Sequence, residues 1–169
     1  MTNSEINDTH EFVNEQLQTP VAREVDVLVA GGGIAGCFAA ITAARMGART
    51  LVVDRFGQLG GNMGPGLIAG GTLVYFGSIV GGKPSLVKEF LKRVADLHGR
   101  SSRNVRKAGA ASYVATKMLL DAGGEIMLST YLCDPIVSDG KVKGLFIENK
   151  SGRQAILART VLGASGEAD

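Results

Sequence analysis

A chain of 169 residues is long enough to bury one domain's core, and 45% hydrophobic with 20% charged residues is the balance of an ordinary globular protein. A net charge of +2 gives no electrostatic reason to expect a nucleic-acid or membrane surface, and no run of about 18 apolar residues is present to span a bilayer. Two cysteines, Cys37 and Cys133, are too few for a disulfide framework or a four-cysteine metal or iron–sulfur site, so no metal and a reducing, cytoplasmic compartment are expected.

Residues 1–23 are polar and acidic with no apolar core of a secretory leader, and read as a flexible lead-in with a short helix around "EFVNEQL". "EVDVLVA" (24–30) is β-branched, uncharged after Asp26 and stopped by glycine, which predicts a buried strand. From Ile34 to Met46 the pattern becomes helical, with Gly47 placed to end it. "RTLVVD" (49–54) is the next strand. Residues 57–82 form a long glycine-rich loop, a kind of segment that often carries function. A helix follows from Ser85 to Leu97, with Leu86, Phe90, Val94 and Leu97 at helical spacing and Ser85 as its cap. "HGRSSRNVRKAGA" reads as a basic loop, and a further helix runs from Ser112 to Ala122.

The hydrophobic period then changes from 3.6 to 2. "EIMLSTYLCDPIVSD", "KVKGLFIEN" and "RQAILARTVLGAS" read as strands separated by the turn signals "SDGK" and "NKSGR". Two or three antiparallel strands are therefore expected ahead of a last strand. No internal repeat is visible.

Glycine is the outlier, with 24 residues, about one in seven against a usual share of about 7%. "GGGIAG" at 31–36 fits G-x-G-x-x-G, follows a predicted strand, opens a predicted helix, and has Asp54 at the end of the next strand. That context is what the dinucleotide fingerprint requires. Gly31 allows the tight turn, Gly33 lets a pyrophosphate approach the backbone, and Gly36 lets the helix pack closely on the strand. The N–H groups of the first helical turn, those of Ile34 and Ala35 among them, then face the phosphates. Asp54 would accept the adenosine ribose hydroxyls and so disfavours NADP, with Arg55 beside it. The fingerprint alone leaves NAD and FAD open.

The residues after Asp54 narrow the choice. "VDRFGQLGGNMGPGLIAGG" resembles the segment of FAD-dependent oxidoreductases in which a Gly-Gly doublet follows the second strand. The resemblance implies that Gly60, Gly61, Asn62 and Met63 wrap the pyrophosphate and ribitol, with Gly70–Gly71 near the isoalloxazine ring. The tail "GRQAILARTVLGASGEAD" resembles the strand and turn that such proteins write Ala-Thr-Gly-Asp, with Ser165, Gly166 and Glu167 in the last three places. By the same resemblance, Leu132 opens a crossover whose backbone meets the adenine. The resemblance covers residues 24–169 and is to the broad FAD-dependent oxidoreductase family, related to fumarate reductase flavoproteins. It implies an α/β, glutathione-reductase-type Rossmann-like domain, a parallel sheet with a three-stranded antiparallel crossover meander. It implies FAD as cofactor and hydride transfer from a small-molecule substrate to flavin. It also implies that this is the amino-terminal portion of a longer flavoprotein whose substrate domain and completing segment lie elsewhere.

Two alternatives stand beside it. "GGGIAGCFAAITAARMGARTL" is also similar to flavoproteins that modify the tRNA wobble uridine, although those lack the doublet and end their tail motif Thr-Gly-Thr. The other alternative is a non-catalytic dinucleotide-binding remnant. No residue is assigned a catalytic role. A thiol at Cys37 would be acidified by the helix dipole, but the plainer reading is a small side chain packed between helix and sheet. Cys133 reads as core, Tyr75 as core with a place near the flavin, and His98 as a solvated helix end. Arg100, Arg103, Arg106 and Lys107 read as a solvated loop that could also meet a carboxylate.

Overall fold

The computed structural model describes residues 3–6, 13–67, 85–98 and 108–166. Its chain order is β1 (Asn3–Ile6), β2 (Val13–Gln16), β3 (Val21–Ala30), α1 (Ile34–Arg45), β4 (Thr50–Val53), a 3-10 turn (Gly61–Met63), α2 (Ser85–His98), α3 (Ala108–Asp121), β5 (Glu125–Met127), β6 (Tyr131–Ser138), β7 (Lys141–Asn149) and β8 (Gly152–Gly163). β1 and β2 pair antiparallel on their own, and the other six strands make one sheet in the order β5-β4-β3-β8-β7-β6.

The two halves of that sheet follow from two kinds of connection. β3, β4 and β5 are joined through helices, which return the chain to the same end of the sheet, so these strands run parallel. β6, β7 and β8 are joined by tight turns and run antiparallel. β8 belongs to both halves. Its first part pairs antiparallel with β7, and over Ala155–Gly163 it also lies parallel to β3. This is the expected α/β arrangement, a parallel sheet continued by a three-stranded meander.

Each face of the sheet has its own core. Val29 and Val52 point to the face covered by the helices, where Cys37, Ile41, Phe90, Met118 and Leu119 are buried against them. Leu28, Leu51 and Val53 point the other way and are fully buried, yet no helix among the described residues contributes to their cluster. Ile147 and Ile156, with Leu132 and Leu145 beside them, fill that side. The meander thus covers the face the helices leave bare.

α1 ends in a Schellman closure, with Gly47 N–H donating to the Ala44 carbonyl and Ala48 N–H to that of Ala43. The three helices are tied by charge. Arg45 makes a two-pronged bond to Glu89 at 2.8 Å and 2.8 Å, and Arg93 joins Glu89 to Asp121, which Lys117 also holds. These side chains are about one-third exposed or more, so the network orients helices more than it stabilises them.

Four sequence expectations shift. Val13–Gln16 is strand rather than helix. β3 starts at Val21, because Ala155 on β8 offers it a partner there. α3 starts at Ala108, so the end of the expected basic loop is already helical. The single strand expected over 125–139 is two, β5 parallel to β4 and β6 antiparallel to β7. Between them Ser129 takes a left-handed conformation at φ 51° and turns the chain.

Candidate functional site

The chemistry-bearing residues of the fingerprint gather where β3, β4 and β8 end. β3 stops at Ala30, and Gly31, at φ 111°, turns the chain while its N–H donates to the Val53 carbonyl at 2.9 Å. Ala164 N–H donates to the Ala30 carbonyl at 2.8 Å, which brings the end of β8 against the turn. A Cβ on Gly31 would press into the Ala164 carbonyl, and one on Gly36 into the Gly31 carbonyl and to 3.2 Å from the Ala164 methyl. Gly31 and Gly36 are therefore required by the protein's own packing.

Gly33 is different. Its φ of −69° and ψ of −170° suit any residue, and a Cβ built on it meets nothing within 4 Å among the described residues. Neither conformation nor packing calls for glycine there. The space is open beside the start of α1, where Gly33 is the N-cap, no side chain caps the helix, and the first turn holds no acid. The N–H groups of Ile34, Ala35 and Gly36 precede the first intrahelical bond, Cys37 N–H to the Gly33 carbonyl at 2.9 Å. A cradle that a Cβ would enter, next to the positive end of a helix, fits a phosphate group.

Asp54 follows β4 and is only 7% exposed. One carboxylate oxygen accepts from Gly32 N–H at 2.5 Å and the other from Phe56 N–H at 2.7 Å. The β5–β6 link passes beside it, since Asp54 N–H donates to the Met127 carbonyl and Thr130 N–H to the Asp54 carbonyl, both at 3.0 Å. Leu132 lies two residues on, paired with Ile147 and half-buried against the second core. Arg55 is exposed, its guanidinium 5.1 Å from the centre of the Phe56 ring.

The doublet is brought to the same place. Gly60, at φ 115°, aims its N–H at the Gly32 carbonyl, 2.8 Å away, and a Cβ on Gly61 would come within 2.8 Å of Gly33 Cα. Asn62 is exposed, whereas the Met63 side chain is packed into the first core. Behind this loop the buried Ser112 hydroxyl, on α3, has no hydrogen-bond partner among the described residues. Gly166 is exposed, at φ 105°, just past Ala164.

Cys37 is buried in the first turn of α1, its thiol donating to the Gly32 carbonyl at 3.1 Å. Burial pushes it up to about 12, with the nearby Asp54 charge adding to the effect and the Gly60 N–H opposing it. It is a packed thiol and no nucleophile at neutral pH. Cys133 is half-buried on β6, and His98 closes α2. Gly70–Gly71, Tyr75, Arg100, Arg103, Arg106, Lys107 and Glu167 lie outside the described residues. No group of three or more His, Cys, Asp and Glu side chains among the described residues is placed to hold a metal. An open apolar groove between α1 and α2, lined by Phe38, Thr42, Met46 and Leu86, contains no titratable group.

The residue that sequence reasoning passed over is Gly32. It sits in an unspecified place of the motif, yet it bonds Asp54, Gly60 and Cys37 together. The signal was a glycine in the middle of the run of three, where the motif asks for none in particular.

Comparison with known proteins bears on the family and the fold. The family model described as FAD dependent oxidoreductase matches residues 26–169. The digeranylgeranylglycerophospholipid reductase of Methanospirillum hungatei is 30% identical over 168 residues, covering 85% of this chain and 39% of that protein. Among solved structures, a geranylgeranyl bacteriochlorophyll reductase-like protein of Thermoplasma acidophilum superposes with a TM-score of 0.57 at 20% identity, over 85% of this chain and 40% of that one. The open form of a flavocytochrome c3 fumarate reductase gives 0.59 at 18%, over 86% and 34%. At these identities the structures speak for the fold. The chain spans about two fifths of the length of the curated relatives it matches. Neither the family match nor these relatives favours the tRNA-modifying reading.

Proposed function

From the membership of this chain in the FAD dependent oxidoreductase family, we propose that residues 24–169 form an FAD-binding domain, with 1–23 as a lead-in, and that its protein is an oxidoreductase passing a hydride between a small-molecule substrate and the flavin. A net charge of +2 gives no electrostatic reason to add a nucleic-acid or membrane partner. The cytoplasm is the compartment that two free cysteines suit.

The observation that carries the reading is Gly33, a glycine that neither its conformation nor the packing of the described residues requires. In this assignment Gly31, Gly33, Ile34, Ala35 and Gly36 hold the pyrophosphate through backbone N–H groups and the start of α1. Asp54 and Arg55 attend the adenosine ribose, and the backbone at Leu132 attends the adenine. Gly60, Gly61, Asn62 and the Met63 backbone line the pyrophosphate and ribitol, and Gly166 lets the flavin side pass close to the end of β8. When bound, FAD supplies the two-electron acceptor, and the protein supplies position and electrostatics. An aspartate at the ribose position, as Asp54 is in this assignment, disfavours a 2′-phosphate.

The test is a visible absorption spectrum of the purified chain after soaking in FAD and desalting. Retained flavin bands in the wild type, absent in Gly33→Val, support the reading. A colourless wild type that takes up no FAD contradicts it.

A further inference from the structure

We propose that Gly32, which the G-x-G-x-x-G pattern leaves unspecified, is a positioning residue of the dinucleotide site, joining the phosphate loop, Asp54 and the Gly60–Gly61 doublet into one unit assembled before any ligand arrives. The proposal rests on the FAD reading above for the identity of the ligand, but its core concerns the protein alone.

Three bonds meet at this one residue. Gly32 N–H donates to Asp54 Oδ2 at 2.5 Å, and because the acceptor carries a charge this is the strongest kind of bond in the loop. The Gly32 carbonyl accepts from Gly60 N–H at 2.8 Å and from the Cys37 thiol at 3.1 Å. Asp54 passes the constraint on by holding Phe56 N–H with its other oxygen. Segments 31–37 and 54–61 are thus fastened to one residue through both of its backbone polar groups.

Sterics say the same. A Cβ on Gly32 would fall into the side chain of Leu59, which is fully buried, and to 3.0 Å from Asp54 Oδ2. A methyl there would displace the carboxylate or the Leu59–Gly60 turn, and either movement opens the unit. A methyl on Gly33 would displace none of the described residues. Two neighbouring glycines therefore separate the two requirements: Gly32 serves assembly, and Gly33 leaves room for the ligand. Pre-assembly matters because loop ordering done during folding is not charged against binding.

The experiment measures amide hydrogen exchange of the ligand-free chain over 28–37 and 56–64, together with FAD affinity by fluorescence, in Gly32→Ala and Gly33→Ala. Gly32→Ala is expected to speed exchange in both segments and to weaken FAD at least about tenfold, the scale of one lost charge-assisted bond. Gly33→Ala should leave exchange at the wild-type level and weaken FAD alone. Wild-type exchange over 56–64 in Gly32→Ala, or wild-type FAD affinity, overturns the proposal. If Gly32→Ala does not fold, Cys37 decides. Cys37→Ala removes a donor to the Gly32 carbonyl and should speed exchange over 56–64 and weaken FAD about threefold, while Cys37→Ser, which keeps a donor, restores both. Cys37→Ala indistinguishable from wild type in both readouts overturns it. A wild type that binds no FAD defeats the functional reading instead, and the exchange data, which need no ligand, tell the two failures apart.

Discussion

The glycines of the meander and those of the phosphate loop make an instructive contrast. Gly152 opens β8, just after the turn from β7, at φ 90° and with nothing among the described residues near the position of a Cβ, so backbone conformation alone explains it. At the other end of β8, Gly36 needs no unusual conformation but has no room for a side chain. Gly33 has an ordinary conformation and open space, so neither explanation reaches it. The lesson is that a glycine-rich motif holds glycines of different kinds. The one that packing and conformation both leave unexplained is the one that points to a ligand.

The sharpest way to break the contrast is Gly36→Val. The branched side chain must enter the space of the Gly31 carbonyl, and overpacking there is expected to cost about 3 kcal/mol or more, read as loss of soluble, cooperatively melting protein. A Gly36→Val chain that melts like wild type would mean that packing does not require this glycine.

Cys37 sharpens the same region through pH. Its thiol is held at about 12 in the fold against 9.0 when exposed, so the unfolded chain ionises first as pH rises. The unfolded state then binds fewer protons than the native one. Stability contributed by the neutral thiol is complete below pH 9 and is lost between 9 and about 12, by at most about 1.4 kcal/mol per pH unit. Denaturant melts at pH 8 and pH 10.5 should show a steeper fall in wild type than in Cys37→Ala. Equal falls would place the thiol in contact with water.

Gly152→Ala tests the conformational kind. Its expected cost is about 1 kcal/mol, the penalty for a side chain in the left-handed region, with FAD affinity unchanged. A change in FAD affinity would link the hairpin to the site. The smallest effect is expected at Ser112. Its buried hydroxyl has no partner among the described residues, so Ser112→Ala should leave the melting temperature unchanged or raise it, by up to about 1 kcal/mol of stability. A clear loss would mean that the hydroxyl is satisfied.

How much of this could be read in advance depends on whether the information was local. β3, α1 and β4 were legible because β-branched runs, an alanine-rich helical stretch and Gly47 all state their role within a few residues. The meander was legible from its turn residues, Gly140 and Gly152 included. The break between β5 and β6 was not, because "EIMLSTYLCDPIVSD" alternates without a Gly or Asn to mark it, and the turn is made by Ser129 in a conformation held by its N–H bond to the Phe56 carbonyl. The early start of β3 depends on Ala155, far along the chain. At the site, the acidic residue and the glycines could be found by spacing. Gly32 could not, since its role consists of partners at 37, 54 and 60 that only the fold brings together.

The central claim is that Gly33 is glycine for the sake of a dinucleotide, and thermal melting with and without FAD tests it most directly. Without ligand, Gly33→Val should cost no more than about 1 kcal/mol, the N-cap preference for glycine over valine, because nothing among the described residues occupies the added space. With saturating FAD only the wild type should rise, by the linkage of ligand binding to folding. A Gly33→Val chain that is stabilised by FAD as fully as wild type, or that loses several kcal/mol of stability (about 3 or more) without it, would contradict the account.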